Sequence, residues 1–553
     1  MENTPVRRGH PRGLYVLFFT EMWERFGYYL MVGIFLLYLT DTLSNGGRGF
    51  DNHTAIDIVG SYVALVYLSP FIGGMIADRF IGYIRAIFIG GTLMAAGYFG
   101  LSIPGTNTLM YLSLLCIIVG NGFFKPNIST LLGIIYNKED LKPKKDSAYM
   151  IFYMGINIGA FVCNFVASYL RNTYGWGYAF AGAGVGMLLG LIWFASGLKH
   201  VKHANIRKPV QKEDMPFSKI MLYVFVPALV AGAIGWMIPG TLFGSDSSDA
   251  FMAATIPIII FYFLLWRRGS PEDRKSIAAL LVIFGVSIVF WVIYNQNSTS
   301  QTLWAQTYTN RSIPSYAEGF TKALGMQQTV NANGHDTIPI MDQYFQAQTN
   351  EEGKVKTTVG VDPYFQNLPK DKWPAAGTNQ KLISTELFQS INPFFIIIFT
   401  PLIVAFFAWL HRRRKEPTTP AKIGWGIFIS GLSALVMVFA AWSVNIYSDK
   451  TNASWLIMSY AVFTVGELCL SPIGLSLVSK IAPPRLTALM MGGWFLSTAI
   501  GGKLAGTLAS SWDVFIGKQW FFMILFIAAA VAALAVWYMV KWLNSIVHEQ
   551  TGE

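Results

Sequence analysis

Residues 14–40 read LYVLFFTEMWERFGYYLMVGIFLLYLT, a mostly apolar run with three charged side chains near its middle. About 20 apolar residues in a helix cross a bilayer core of about 30 Å, so this stretch predicts a membrane-spanning helix. Charged groups inside a membrane cost a few kcal/mol each, so they mark a polar pathway or pair with one another to lock helices together.

The same composition extends along the whole chain. Of its 553 residues, 53% are hydrophobic and 13% are charged, whereas soluble domains carry about 25% charged residues. The sequence therefore predicts an all-α polytopic membrane protein. Its apolar runs predict 14 helices, at about 14–40, 55–77, 83–103, 109–135, 147–170, 177–199, 218–243, 249–267, 275–297, 385–411, 422–447, 453–479, 485–511 and 518–543.

The positions of lysine and arginine predict the orientation. An even number of helices places both termini on one side, and basic residues favour the cytoplasmic loops. We therefore expect a multi-pass protein of the cytoplasmic (inner) membrane with both termini cytoplasmic, and we expect the net charge of +11 to reflect this topology rather than binding to nucleic acid. The clusters on that side are Arg7, Arg8 and Arg12; Arg79 and Arg85; Lys138, Lys142, Lys144 and Lys145; Lys202, Arg207, Lys208 and Lys212; Arg267, Arg268, Arg274 and Lys275; and Arg412, Arg413, Arg414 and Lys415.

The segment 300–384 interrupts the apolar pattern. It is rich in Asn, Gln, Thr, Pro and Gly, so it cannot lie in the membrane. The topology places it outside the cell, and its length exceeds that of an ordinary loop. We expect an extracytoplasmic insertion, either a solvated excursion or a cap with a gating or partner role.

Three motifs place polar groups inside predicted helices. In EMWERFGYY at 21–29, Glu21, Glu24 and Arg25 share one helix face, and Tyr28 and Tyr29 follow about one turn later. In GNGFFKPN at 120–127, Lys125 is an intramembrane cation just before a helix-bending proline. The fifth helix opens with DSAYMIFYMGINIG at 146–159.

These motifs together resemble the proton-dependent oligopeptide transporter family. The shared patterns are ExxERFxYY, GxGxxKPN and FYxxINxG, followed by FW at 290–291, SINP at 390–393, GELCLSPIGLS at 466–476 and WFLS at 494–497. The resemblance covers nearly the whole chain apart from 300–384. In addition, GGMIADRFIGYIR at 73–85 resembles the loop after the second helix of the major facilitator superfamily, which implies that Asp78 and Arg79 form a conformational latch.

The resemblance implies a major facilitator fold and a transport function. It implies a six-helix bundle in 1–200, a linker with two extra helices in 201–270, and a second six-helix bundle in 271–553 that contains the insertion. It implies a symporter that imports di- and tripeptides together with protons by alternating access about a midplane site. We expect a monomer in the lipid bilayer, with no cofactor and no metal.

The resemblance also implies roles for individual residues. Arg25 and Lys125 would attract the peptide carboxylate, and Glu467 would meet the peptide amino group with help from Ser471. A packing carboxylate paired to a neighbour is the alternative for Glu467. Hydrogen bonds to the peptide backbone would come from Tyr28, Tyr29, Tyr67, Asn157 and Asn392, whereas Trp291 and Trp494 would shape side-chain pockets unless they are plain packing residues.

Proton coupling is predicted at the charged set formed by Glu21, Glu24, Arg25 and Lys125. Protonation of a glutamate would release its cation to meet the peptide carboxylate, so proton and cargo would favour the same conformational step.

Two positions depart from the pattern of the family. Val32 stands where an arginine is expected, and Asn295, which we also place in the substrate site, stands where an acidic residue is expected. These two groups can pair across the extracellular gate in the family. Loss of both is physically sensible, because loss of one alone strands a buried charge. We therefore expect a gate without this pair and one proton site fewer than the family pattern implies.

Other functions remain as alternatives. The same fold would also suit another small zwitterion or anion with weakened proton coupling, and a non-transporting peptide sensor is a further alternative. A membrane-embedded enzyme is disfavoured, because the sequence lacks the HExxH, CxxC, Walker lysine and GxSxG motifs.

Overall fold

The computed structural model describes residues 9–138, 140–141, 144–205, 216–331, 336–339, 356–360, 362–375, 377–483 and 486–551. Helices dominate these ranges, which confirms the predicted all-α class. Several basic residues used for the topology lie outside the described residues, namely Arg7, Arg8, Lys142, Arg207, Lys208 and Lys212.

The first half of the chain forms six long helices. They are α1 (Arg12–Thr40), α2 (Asn52–Ile76), α3 (Tyr83–Ser102), α4 (Asn107–Ile135), α5 (Lys145–Tyr174) and α6 (Trp176–Ser196). Small residues let these helices approach closely, as is common in membranes. At the α3–α4 crossing, a Cβ added to Gly90 would lie 2.5 Å from the carbonyl oxygen of Gly120.

A helical hairpin follows the first half. Helices α7 (Phe217–Ile220) and α8 (Val226–Trp236) are joined through a π-helical turn, and α9 (Asp246–Arg268) returns beside them. The first arm of the hairpin ends at Trp236, earlier than the predicted residue 243. Asp249 explains the end, because its carboxylate accepts hydrogen bonds from the backbone of Leu242 and Phe243 and so orders a loop there.

The second half contains α10 (Pro271–Tyr294), α11 (Ser300–Thr307), α12 (Glu318–Ala323), α13 (Ile391–Arg412), α14 (Thr419–Ser443), α15 (Ala453–Ile481), α16 (Thr487–Ser510) and α17 (Lys518–Thr551). Within the described ranges, twelve helical stretches are long and apolar enough to cross a membrane. Helices α1 and α16 are not among these twelve, so the number of 14 spans stays a prediction.

The polar insertion begins later than predicted. A 3-10 turn at Asn295–Ser298 leads from α10 into α11, so the helical run continues to Thr307 rather than ending near 297. Beyond it, β1 (Gln327–Asn331) pairs with β4 (Asn379–Ile383), and β2 (Asp336–Pro339) pairs with β3 (Thr357–Gly360), both antiparallel. These elements form a small cap with its own apolar cluster.

The cap covers one end of the helix bundle, which we call the cap end. Ser168 near the end of α5 donates to the backbone oxygen of Gly325, and Asn367 in the cap donates to the backbone oxygen of Ile446 after α14. The insertion is therefore docked on the bundle.

Candidate functional site

A cavity of about 280 Å³ lies between the two halves of the bundle. Small-molecule sites commonly measure about 300–1,000 Å³, so this one suits a small ligand. Every residue that the sequence analysis assigned to substrate binding lines this cavity, namely Arg25, Tyr28, Tyr29, Tyr67, Lys125, Asn157, Trp291, Asn295, Asn392, Glu467, Ser471 and Trp494. Glu21, which was assigned to proton coupling, lines it as well.

The three charges of α1 form one buried cluster. Arg25 Nη2 lies 2.5 Å from Glu24 Oε1, Arg25 Nε also contacts the other oxygen of Glu24, and the Glu21 Oε1 atom is 3.5 Å from Arg25 Nε. Glu24 is fully buried and does not line the cavity, whereas Glu21 does. The second oxygen of Glu21 has no hydrogen-bond partner within the described ranges. Glu24 therefore holds the guanidinium, and Glu21 presents a free oxygen.

Aromatic rings enclose the guanidinium of Arg25. Its central carbon lies 4.8 Å from the ring centre of Tyr28 and 6.0 Å from that of Tyr29. Such cation–π contacts stabilise a cation without neutralising it. Arg25 Nη2 also donates to Asn121 Oδ1 at 3.4 Å.

Lys125 projects into the cavity from α4, next to Pro126. Its ammonium lies 4.5 Å from the ring centre of Tyr67. Among the described residues, the ammonium has no hydrogen bond or ion pair to a protein group. A half-buried cation in this setting is available to an anionic ligand.

Glu467 faces the cavity from α15, in the second half. Asn392 Nδ2 donates to Glu467 Oε2 at 2.9 Å and also to Thr464 at 3.0 Å. In the part of the chain that the structure describes, no cation pairs with this carboxylate, which is 5% exposed. Its neighbour is therefore an amide, which leaves the negative charge available. Ser471, one turn further, also has a hydroxyl without a partner in that part of the chain.

Aromatic side chains form the wall between these charges. The rings of Trp291 and Trp494 meet edge to face, with centres 6.2 Å apart, and Trp291 is also 6.4 Å from Tyr67. The indole nitrogen of Trp291 lacks a hydrogen-bond partner among the described residues. Both tryptophans therefore contact the cavity and neighbouring aromatic side chains at once.

The cavity also contains polar residues that the sequence analysis did not select, namely Tyr153, Asn164, Tyr294, Asn297, Ser298, Gln389 and Thr498. Tyr153 belongs to the quoted FYMGIN motif, so the motif itself was the signal. Tyr294 adjoins Asn295 in the stretch after FW at 290–291. Gln389 directly precedes the SINP motif at 390–393. Asn164 carries no comparable local signal, because only the packing of distant segments brings it to the cavity.

Val32 and Asn295 both line the cavity. Asn295 Nδ2 donates to the backbone oxygen of Trp291 at 2.8 Å. Asp78 and Arg79 instead lie in the π-helical turn at Ala77–Ile81, away from the cavity, and their role as a latch stays a prediction.

A second, larger cleft of about 590 Å³ lies on the outer face of α1, α5 and α6. Its lining is apolar, with Trp23, Phe26 and Val162 among its residues, and it has no charged lining residue. This cleft faces away from the charged cluster, so the cavity between the halves is the candidate site.

The fold and the site together define a class of protein: a polytopic membrane transporter with a charged site at the interface of two helical halves. A sequence model described as the POT family matches residues 84–317 and 377–521. The chain therefore belongs to the POT family.

Individual relatives agree with this membership. The chain is 33% identical to the "Uncharacterized transporter YclF" of Bacillus subtilis (strain 168), over 91% of this chain and 89% of that protein. It is 29% identical to the "Di-/tripeptide transporter" of Lactococcus lactis subsp. cremoris, over 92% and 91% of the two chains. A crystal structure of a POT family transporter in complex with 5-aminolevulinic acid superposes with a TM-score of 0.75 at 27% identity, over 98% and 99% of the chains.

Proposed function

We propose that this protein imports di- and tripeptides together with protons by alternating access. One observation carries the proposal: the Lys125 ammonium and the Glu467 carboxylate face one cavity from opposite halves of the molecule, and among the described residues neither has an ion-pair partner. A short peptide carries the complementary charges at its two ends. Its binding would therefore connect the halves whose relative movement defines alternating access.

The proton would act at the Glu21–Arg25 contact. Glu21 is buried, it touches Arg25 at 3.5 Å, and its second oxygen lacks a partner within the described residues. Protonation of Glu21 removes one of the two negative charges that hold Arg25. The guanidinium then becomes available to the peptide carboxylate, so proton binding and peptide binding support each other.

The relatives support a small zwitterionic cargo. One relative is named as a di-/tripeptide transporter, and one similar structure holds a ligand whose name gives it both an amine and an acid. The second observation also favours the alternative cargo, a small zwitterion other than a peptide.

The orientation belongs to the same proposal. We infer a monomer in the cytoplasmic membrane, with both termini in the cytoplasm and the cap end outside. The cap end would then be the entry side for peptide and protons.

Uptake by proteoliposomes tests the function. Radiolabelled dialanine should accumulate when an inside-alkaline gradient is imposed, and an uncoupler should remove the accumulation while exchange persists. Unlabelled dialanine should compete, whereas N-acetylated and C-amidated dialanine should compete poorly because each lacks one terminal charge. Exchange without gradient-driven accumulation would contradict proton coupling. Competition by 5-aminolevulinic acid but not by dialanine would favour the alternative cargo, a small zwitterion other than a peptide.

A further inference from the structure

Near the cap end, a buried ion pair joins α2 of the first half to α16 of the second. Lys503 Nζ lies 2.7 Å from Asp57 Oδ1 and donates to Ser61 Oγ and Ser247 Oγ, each at 2.7 Å. The lysine is fully buried, and the side chain of Asp57 is 16% exposed. Both charges are thus satisfied only while the two helices remain together.

The start of α9 surrounds the same carboxylate. Asp57 accepts hydrogen bonds from Ser245 at 2.7 Å, from Ser247 at 2.5 Å and from Ser248 at 3.2 Å. The hydroxyl of Ser248 also lies 3.0 Å from that of Thr507 on α16. The α8–α9 hairpin therefore contacts both helices of the ion pair.

The backbones of α2 and α16 touch beside this pair. A Cβ added to Gly60 would lie 2.9 Å from the Cα atom of Gly506. A Cβ added to Gly502, the neighbour of Lys503, would lie 3.7 Å from the side-chain nitrogen of Asn295. The ion pair thus lies next to Asn295, which stands where the family pattern has an acidic gate residue.

A second buried ion pair joins the halves through other helices. Arg171 on α5 lies 2.9 Å from Glu386, in the 3-10 segment Thr385–Ser390 that leads into α13. Glu386 is fully buried, and the Arg171 guanidinium also lies 4.2 Å from the Trp176 ring. Nearby, Asn164 donates to Ser390 at 3.0 Å, again between the halves.

We propose that these two ion pairs, Asp57–Lys503 and Arg171–Glu386, hold the cap end of the transport pathway closed, and that the α8–α9 hairpin braces the first of them. They take the place of the pair that Val32 and Asn295 cannot form. Opening at the cap end must separate both pairs. Because a buried charge without its partner is strongly unfavourable, each pair is either made or broken, which suits a two-state gate.

This proposal rests on the alternating access of the proposed function, but its test needs neither peptide nor proton gradient. Cys116, Cys163 and Cys469 are first replaced by serine. Spin labels at Leu43 and Val514 then report the distance between the halves at the cap end, and labels at Phe80 and Lys415 report the opposite end. Double electron–electron resonance measures both distributions in nanodiscs.

Asp57→Asn and Lys503→Gln should each raise the ratio of open to closed cap ends about tenfold or more, because each strands the remaining charge. The exchanged pair Asp57→Lys with Lys503→Asp should restore the closed distribution. Asp57→Asn combined with Glu386→Gln should open the cap end further than either change alone. Ser247→Ala keeps both charges and should shift the ratio of open to closed cap ends in the same direction by a smaller amount. This variant tests the proposal if the single charge variants do not fold.

The exposed pair Lys275–Glu549 supplies the matched control. Lys275→Gln should leave both distance distributions unchanged. The proposal is overturned if folded Asp57→Asn retains the distance distribution of the parent protein. If Asp57→Asn does not fold, the same result with Ser247→Ala overturns it. It is also overturned if the exchanged pair stays as open as the single variants. If the charge variants open the cap end as expected but the parent protein does not accumulate peptide, the proposed function is refuted and the ion-pair gate is retained.

Discussion

The two isolated charges in the cavity differ from the other charges on the membrane helices. Glu24 and Arg25 neutralise each other, as do Asp57 and Lys503, whereas no described group of opposite charge forms an ion pair with Lys125 or Glu467. An unpaired charge in such a place costs free energy in the empty protein. That cost is recovered only when a ligand supplies the countercharge.

We predict that Lys125→Gln removes the preference for a free carboxylate. Dialanine should bind about tenfold or more weakly, which corresponds to about 1.4 kcal/mol, and C-amidated dialanine should bind about as well as to the parent protein. Competition uptake with both ligands measures the ratio. Lys275→Gln is the matched control, because that lysine is exposed and lies outside the cavity. Equal weakening for both ligands would contradict a direct role for the ammonium.

Glu21→Gln should abolish gradient-driven accumulation while exchange of labelled for unlabelled peptide persists. The change mimics the protonated carboxyl group and removes its titration, so the proton gradient no longer has this site to act on. Counterflow and pH-driven uptake are measured on the same proteoliposomes. Acid-driven accumulation equal to that of the parent would refute the assignment.

Glu24→Gln should differ from Glu21→Gln in its effect on stability. Both oxygens of Glu24 contact Arg25 in a fully buried setting, so its loss strands the guanidinium and should cost about 3–5 kcal/mol. Thermal unfolding in detergent should show a clearly lower Tm for Glu24→Gln than for Glu21→Gln. The reverse order would contradict the division of roles between the two glutamates.

Asn295→Glu alone should impair transport, because it places an unpaired carboxylate next to the contact between α2 and α16. Adding Val32→Arg supplies the partner that the family pattern expects and should recover part of the uptake. Initial rates for the single and double variants measure this coupling. Parental activity in Asn295→Glu would show that an unpaired acid is tolerated there.

At the scale of elements, the cap is held by a half-buried lysine. Lys450, in the loop between α14 and α15, donates to the backbone oxygens of Thr307 and Tyr364 and to the side chain of Asn367. This lysine therefore joins α11, the cap and the α14–α15 loop. Burial, together with the nearby positive charge of Arg311, lowers the pKa of Lys450 to about 7.

The lowered pKa predicts how docking of the cap depends on pH. In the undocked state Lys450 would titrate near its ordinary value of 10.5, so between about pH 7 and pH 10.5 the undocked state binds more protons. Docking should therefore strengthen as pH rises through this window and weaken as pH falls toward 7. Hydrogen exchange of residues 362–383, corrected for intrinsic rates, should show greater protection at pH 9 than at pH 7. In Lys450→Met this pH dependence should disappear; its persistence would assign the effect to another group.

The sequence predicted the helices better than it predicted their ends and partners. Apolar length alone located the helices, because the bilayer sets that length. It missed the continuation from α10 to Thr307, since Asn295 and Gln296 look like loop residues until their side-chain amides find backbone oxygens to donate to. The sequence also predicted a polar insertion, but not its two antiparallel strand pairs. These join residues about 50 apart in β1–β4 and about 20 apart in β2–β3, and the segment carries no local signal for either pairing.

The candidate site was predictable where one helix turn or one motif holds the relevant groups. Glu21, Arg25 and Lys125 could be selected because charges inside apolar runs demand an explanation. The same rule applies to Asp57 and Lys503, yet neither was selected, because each lies outside the motif that its helix carries, at 73–85 and at 494–497. Their partnership across 446 residues becomes visible only in the packed molecule.

At the scale of the whole molecule, the structure is closed at the cap end, and alternating access requires this closure to be reversible. Ser168 on α5 and Ser384 beside α13 belong to opposite halves, and their hydroxyls lie 2.8 Å apart. Cysteines at these two positions are therefore close enough for a disulfide, which forms between sulfur atoms about 2 Å apart. Such a bond would trap the closed cap end without touching the cavity.

In a protein without its native cysteines, Ser168→Cys with Ser384→Cys should lose uptake on oxidation and regain it on reduction. The oxidised protein should still bind dialanine, seen as a ligand-induced rise in Tm, because alternating access opens the cavity toward the opposite end when the cap end is closed. Each single cysteine variant should be insensitive to oxidant. Undiminished uptake with the disulfide demonstrably formed would mean that the two halves do not separate at the cap end during transport, and a rigid pathway would then have to replace alternating access as the mechanism.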